Sequence, residues 1–169
     1  TVGGTWSALD FSPDGKTLLV SQYRSITDSQ PGEVDIETGK LTLFPIEGGK
    51  AAFDGFEYAR NGKGVYFVSD ENSEFMQLRQ HDPASGLSRI ISKDIPWDVD
   101  AFAQSPDGSR LGFISNEDGI STLRVIDTTS LKPIALPKLP IGISGGLQFS
   151  PDGKRIALSI NTATSPSDV

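Results

Sequence analysis

The sequence predicts an all-β fold: a β-propeller fragment of about three and a half four-stranded antiparallel blades. Three observations lead there. A Pro-Asp-Gly turn recurs at a near-constant interval, and an apolar strand follows each copy. The 169 residues also include 18 glycines and 11 prolines, the composition of a chain with many turns.

The turn appears first as Phe11-Ser12-Pro13-Asp14-Gly15-Lys16 and returns as Phe149-Ser150-Pro151-Asp152-Gly153-Lys154. A third copy reads Gln104-Ser105-Pro106-Asp107-Gly108-Ser109, and a decayed one reads Tyr58-Ala59-Arg60-Asn61-Gly62-Lys63. Successive turn glycines lie 47, 46 and 45 residues apart, the period of a four-stranded blade. Proline presets φ for the second turn position, and Asp or Asn bonds the backbone two residues on. Glycine then takes the left-handed conformation that returns the chain to a ladder. These aspartates are therefore read as structural.

The strands after the turns are Leu18-Leu19-Val20, Val65-Tyr66-Phe67-Val68, Leu111-Gly112-Phe113-Ile114 and Ile156-Ala157-Leu158. Near-continuous apolar runs fit strands covered on both faces. A second mark follows: Asp35, Asp82 and Asp127 stand 20, 20 and 19 residues after the turn glycines. Glu37-Thr38-Gly39 and Ala84-Ser85-Gly86 supply turns after the first two, while Ser130-Leu131 departs from the pattern. Each repeat thus reads as strand a, Pro-Asp-Gly turn, strand b, loop, strand c, turn, strand d. Blades are expected at about 5–49, 50–95 and 96–141, with a half blade at 142–169, in which Ser165-Pro166-Ser167-Asp168-Val169 would begin a c strand. Propellers close with 4–8 blades, so the sequence is expected to be part of a longer protein, and open blade edges could support self-association.

Composition removes several function classes. With 22 acidic and 15 basic residues the formal charge is −7, which disfavours nucleic acid as a partner. No apolar stretch is long enough to span a membrane as a helix. Without cysteine there is no disulfide, zinc-thiolate site or cysteine nucleophile, and both the bacterial cytoplasm and the periplasm stay open as compartments. Neither a cofactor nor a metal is expected. Asp70-Glu71-Asn72-Ser73-Glu74 lacks the alternating oxygen spacing of a calcium loop. Paired carboxylates for glycoside hydrolysis have no specific support.

The repeated Phe-Ser-Pro-Asp-Gly-Lys turns resemble those of TolB and of the N-terminal propellers of the prolyl oligopeptidase family of serine peptidases (peptidase family S9). Longer stretches are similar to the peptidases: residues 4–16, Ser69-Asp70-Glu71-Asn72-Ser73-Glu74-Phe75, Ile95-Pro96-Trp97-Asp98-Val99-Asp100 and Asn116-Glu117-Asp118-Gly119-Ile120-Ser121. The resemblance covers essentially the whole chain. It implies a propeller that gates peptide access to a C-terminal α/β-hydrolase domain. That domain would carry the serine nucleophile in a Gly-x-Ser-x-Gly elbow. No such elbow occurs in this sequence. Gly142-Ile143-Ser144-Gly145-Gly146 lacks its spacing, and the single histidine, His81, falls inside a predicted c strand. No catalytic residue is assigned.

The strand order places the b–c loops and d–a connections on one side. That side is expected to collect Tyr23 to Pro31, Asp70 to Phe75, Pro96 to Asp98 and Asn116 to Gly119. Its candidate peptide- or domain-facing residues are Arg24, Glu71, Glu74, Trp97, Asp98, Glu117 and Asp118, an acidic surface with an aromatic anchor. The expected partners are a peptide substrate and the hydrolase domain of the same protein. The alternative is a TolB-like propeller acting as a protein-binding module, and a third reading is the propeller of another hydrolase.

Overall fold

A computed structural model describes residues 3–83 and 85–165. The described residues form thirteen β-strands and no helix. The chain divides into two compact units, Thr1–Ser92 and Lys93–Val169.

The first unit holds two four-stranded antiparallel sheets. One runs β1 (Thr5–Phe11), β2 (Thr17–Ser25), β3 (Asp28–Asp35) and β4 (Leu41–Leu43), paired in chain order. The other runs β5 (Phe53–Tyr58), β6 (Val65–Ser69), β7 (Gln77–Asp82) and β8 (Leu87–Ile90), again in chain order. Every residue of β6 is buried, as expected of a strand covered on both faces. Leu19, Phe56, Val65 and Phe67 form the core between the sheets, with Phe44, Phe53 and Tyr58 packed against it. The Phe56 and Phe67 rings stack at 5.2 Å and Phe53 lies 5.6 Å from Phe67. These separations lie in the range aromatic pairs prefer.

The second unit holds the three-stranded sheet β9 (Val99–Gln104), β10 (Arg110–Glu117) and β11 (Ile120–Asp127), with β10 central, and the hairpin β12 (Ile143–Phe149) and β13 (Ile156–Asn161). Leu111 through Ser115 of β10 are buried. The Phe149 ring lies over the bare glycine of β10, 3.4 Å from where a Cβ on Gly112 would stand.

The four Pro-Asp-Gly-type turns are built alike. Each glycine N–H donates to the carbonyl three residues back, Gly15 to Ser12, Gly62 to Ala59, Gly108 to Ser105 and Gly153 to Ser150, at 2.8–2.9 Å. All four glycines have φ between 67° and 74°. In the three full copies the serine hydroxyl donates to the aspartate at 2.6–2.7 Å and accepts a backbone N–H from the returning strand at 2.9–3.0 Å. Those hydrogen bonds hold Asp14, Asp107 and Asp152 below the ordinary carboxylate range, Asp107 at about 2. The decayed copy has alanine in place of the serine and keeps the Asn61 contact to the Lys63 N–H, at 3.0 Å.

The second mark and the third sheet each depart from the repeat pattern. At the second mark, Leu131 fills the place of Gly39 and Gly86: its N–H donates to the Asp127 carbonyl at 2.8 Å, and its φ is 56°. The turn thus survives a residue that makes it strained. The expected fourth strand of the third sheet is reduced to one bridge, Ile126 to Pro133, made by the Ile134 N–H to the Val125 carbonyl at 2.8 Å and the Asp127 N–H to the Lys132 carbonyl at 3.0 Å. Pro133, Pro137 and Pro140 lack the N–H that a ladder requires. The proposed start of a c strand at 165–169 lies almost wholly outside the described residues.

Candidate functional site

Two of the expected loops are shorter than the sequence suggested. Tyr23 belongs to β2 and Pro31 to β3, leaving only Ile26 and Thr27 between the strands. Asn116 and Glu117 belong to β10, which turns into β11 through Asp118 and Gly119 alone. Both of those residues have positive φ, 54° and 79°, the geometry of a tight hairpin whose twist matches its strands.

In the first unit the candidate residues are Arg24, Glu71 and Glu74. Arg24 sits in β2, 40% exposed, with its guanidinium 3.6 Å from Asp28 and its Nε donating to Gln22 at 3.1 Å. A pair at that exposure contributes little. Glu71 is different. Its Oε2 pairs with Arg79 Nη1 at 3.1 Å, and the two side chains are only 11% and 6% exposed. Its Oε1 accepts the Glu47 N–H at 2.7 Å, and its carbonyl accepts the Arg79 Nη2. Asn72 donates to Glu47 at 2.9 Å, and Asp70 accepts the Ala52 N–H at 2.7 Å. The acidic run therefore fastens the β6–β7 loop to the segment between β4 and β5. Burial draws the Arg79 guanidinium below its ordinary value, opposed by Glu71, Asp70 and Glu47. Glu71 is committed to this network, whereas Glu74 is exposed at the loop surface.

In the second unit the candidates are Trp97, Asp98, Glu117 and Asp118. Trp97 is 37% exposed on the segment leading into β9. Asp98 follows it, and its carbonyl accepts the Asn116 N–H at 2.9 Å, tying that segment to the end of β10. Glu117 accepts from Arg124 at 2.6 Å and from the Ser115 hydroxyl at 2.7 Å. Burial raises the Glu117 pKa, but those bonds outweigh it and the carboxyl ends below its usual value. Asp118 is exposed in the hairpin turn.

A cleft that the sequence did not reveal runs between β1 and β5. Its volume is about 570 Å³, and Asp10, Asp54, Glu57 and Arg60 line it together with Leu9 and Phe11. Leu9 and Phe11 are 41% and 61% exposed, on a strand with one unpaired edge. The only sequence signal was apolar residues at alternating positions facing no partner. At its end the Tyr58 hydroxyl donates to Glu33 at 2.8 Å and shares a hydrogen bond with Thr17 at 2.6 Å, while the Tyr58 N–H donates to Asp10 at 2.9 Å. Burial, more than these contacts, raises the Tyr58 pKa.

The serine–histidine look-alikes take structural places. Ser144 lies inside β12, where its N–H donates to the Ser121 hydroxyl at 2.9 Å. His81 is buried on β7, with Nδ1 2.9 Å from the Ser88 hydroxyl and its ring 5.4 Å from Phe44. Among the described residues no group of three or more His, Asp or Glu side chains is placed to hold a metal ion. No helix of the described residues is long and apolar enough to cross a membrane.

No family model and no curated protein matches the chain. Solved structures do. A prolyl endopeptidase matches 94% of this chain at 21% identity with a TM-score of 0.75. The chain is a β-propeller fragment. TolB from Acinetobacter baumannii matches 92% of this fragment at 19% identity and a TM-score of 0.67. Prolyl oligopeptidase B from Galerina marginata matches 96% at 13% identity and a TM-score of 0.73. The propeller fragment spans 23% and 24% of the two peptidases and 38% of that TolB.

Proposed function

We propose that this chain is a non-catalytic portion of the propeller of a prolyl oligopeptidase-type serine peptidase, and that it restricts which peptides reach a hydrolase domain of the same protein. The observation that carries the reading is the propeller likeness to a prolyl endopeptidase over 94% of the chain. It agrees with the longer peptidase-like stretches around Trp97 and Glu117. The cleft between β1 and β5 supports a peptide-facing role, because it pairs carboxylates with exposed Leu9 and Phe11. Such a surface suits an extended peptide carrying basic and apolar side chains. Glu74, Trp97, Asp98 and Asp118 are proposed as further peptide- or domain-facing positions.

A second reading has its own support. The likeness to TolB covers nearly as much of the chain, which favours a propeller that binds a protein partner and has no hydrolase domain. Fold alone does not choose, since propellers host many functions.

The two readings part at the reading frame beyond Val169. A peptidase requires a downstream Gly-x-Ser-x-Gly elbow followed by an acid and a histidine. In that protein, deleting these propeller residues should let longer peptides be cleaved. A reading frame that closes a propeller and ends, or a deletion that leaves the size limit unchanged, overturns gating.

A further inference from the structure

In the first unit a cavity of about 420 Å³ opens beside the face of β7, apart from the cleft between β1 and β5. That size is typical of small-molecule pockets, which span about 300–1,000 Å³. Phe44, Phe53 and Phe67 supply aromatic walls, and Leu87 and Ile90 of β8 line it as well, 71% and 38% exposed.

Two polar groups in this lining have spare capacity, Arg79, whose Nε is buried without a partner, and His81. His81 is only 8% exposed and lines the cavity. Its Nδ1 is engaged by Ser88, and its Nε2 has no hydrogen-bond partner among the described residues. A ring nitrogen facing a cavity without a protein partner is open to a hydrogen bond from an occupant. Desolvation also lowers the His81 pKa, against the opposing charges of Asp82, Glu33 and Glu71, which favours the neutral ring. Depending on which way the Ser88 contact runs, Nε2 is a donor or an acceptor.

The remaining polar lining sets the charge of an occupant. Glu47 and Glu71 share that lining with a single cation, Arg79, which Glu71 already neutralises. An anion is therefore disfavoured. A planar, neutral group with a hydroxyl meets every condition: the ring packs among the phenylalanines, and the hydroxyl both donates and accepts, so it serves His81 in either tautomer.

We propose that this cavity binds a neutral phenol, its ring against the aromatic wall that includes Phe44 and its hydroxyl on Nε2 of His81. The phenol is either a free small molecule or the side chain of a tyrosine.

His81 is the only histidine in the chain, so its imidazole nitrogen signals in a ¹⁵N NMR spectrum need no assignment. Titrating the full chain with p-cresol should move those signals saturably, with toluene binding about ten-fold more weakly because it lacks the hydroxyl. Ile90→Trp, which narrows the cavity at a partly exposed position, should abolish the shift while leaving the fold's far-ultraviolet circular dichroism unchanged. Competition by N-acetyl-tyrosinamide assigns the site to a tyrosyl side chain, and its failure to compete assigns it to a free phenol. Absence of a saturable shift, equal binding of toluene and p-cresol, or an unchanged p-cresol response in a folded Ile90→Trp variant overturns the proposal.

Discussion

At the scale of single residues, chemically similar positions carry very different weight. Gly62 and Gly64 are two residues apart, and both have positive φ, 74° and 93°. A Cβ on Gly62 meets nothing within 4 Å, whereas one on Gly64 would sit 2.0 Å from the His81 carbonyl oxygen. Gly62→Ala should therefore cost only the left-handed penalty, about 1 kcal/mol. Gly64→Ala adds a backbone collision that cannot rotate away, so a loss of about 3 kcal/mol or more is expected. Urea denaturation of the two variants measures the contrast, and equal losses would contradict it. The acidic run offers a second pair. Glu71→Ala strands the buried Arg79 cation and should cost about 3–5 kcal/mol. Glu74→Ala, at an exposed position, should change stability by less than about 0.5 kcal/mol. The sequence shows Glu71 and Glu74 as equivalent loop acids; the partner that separates them, Arg79, is on the next strand and has no local signature.

At the scale of elements, the turns were legible because their chemistry is local. Serine, aspartate and glycine within four positions suffice to specify the bonds seen in three copies. Loop lengths between b and c strands were not legible, because pairing such as Asn116 with Ser121 is a contest between strands that polar residues do not announce. The missing fourth strand of the third sheet was readable in principle from Pro133, Pro137 and Pro140. The local turn chemistry also sets an acid response. Asp107 titrates at about 2 in the fold against an ordinary value of 3.8, chiefly through the Ser105 hydroxyl and the Ser109 N–H. A depressed carboxylate contributes its stability above its unfolded pKa and loses it as pH falls through the folded value. The turns should thus weaken between about pH 4 and pH 2. Asp107→Asn should have a lower melting temperature at pH 5 and a shallower fall on acidification than the unchanged chain; parallel curves would remove the turn from the acid response.

At the scale of the whole molecule, repetition made the fold readable, while the proposed peptidase activity would depend on groups that repetition does not encode. Catalysis by a serine peptidase needs a nucleophile, a base with an acid behind it, and donors aimed at the developing oxyanion. The one histidine has its Nδ1 on Ser88, where a relay would place a carboxylate, and the Gly-Ile-Ser-Gly-Gly stretch is a paired strand instead of a strand-to-helix elbow. Removing any member of such a relay leaves only weak residual catalysis, even in a complete enzyme. The isolated chain should therefore turn over a fluorogenic proline-containing peptide no faster than buffer. Under the proposed gating role, the propeller acts only through a hydrolase domain, by excluding peptides too large to pass. Turnover by the purified chain that a serine-directed covalent inhibitor abolishes would place a nucleophile in the propeller itself and reverse that division of labour.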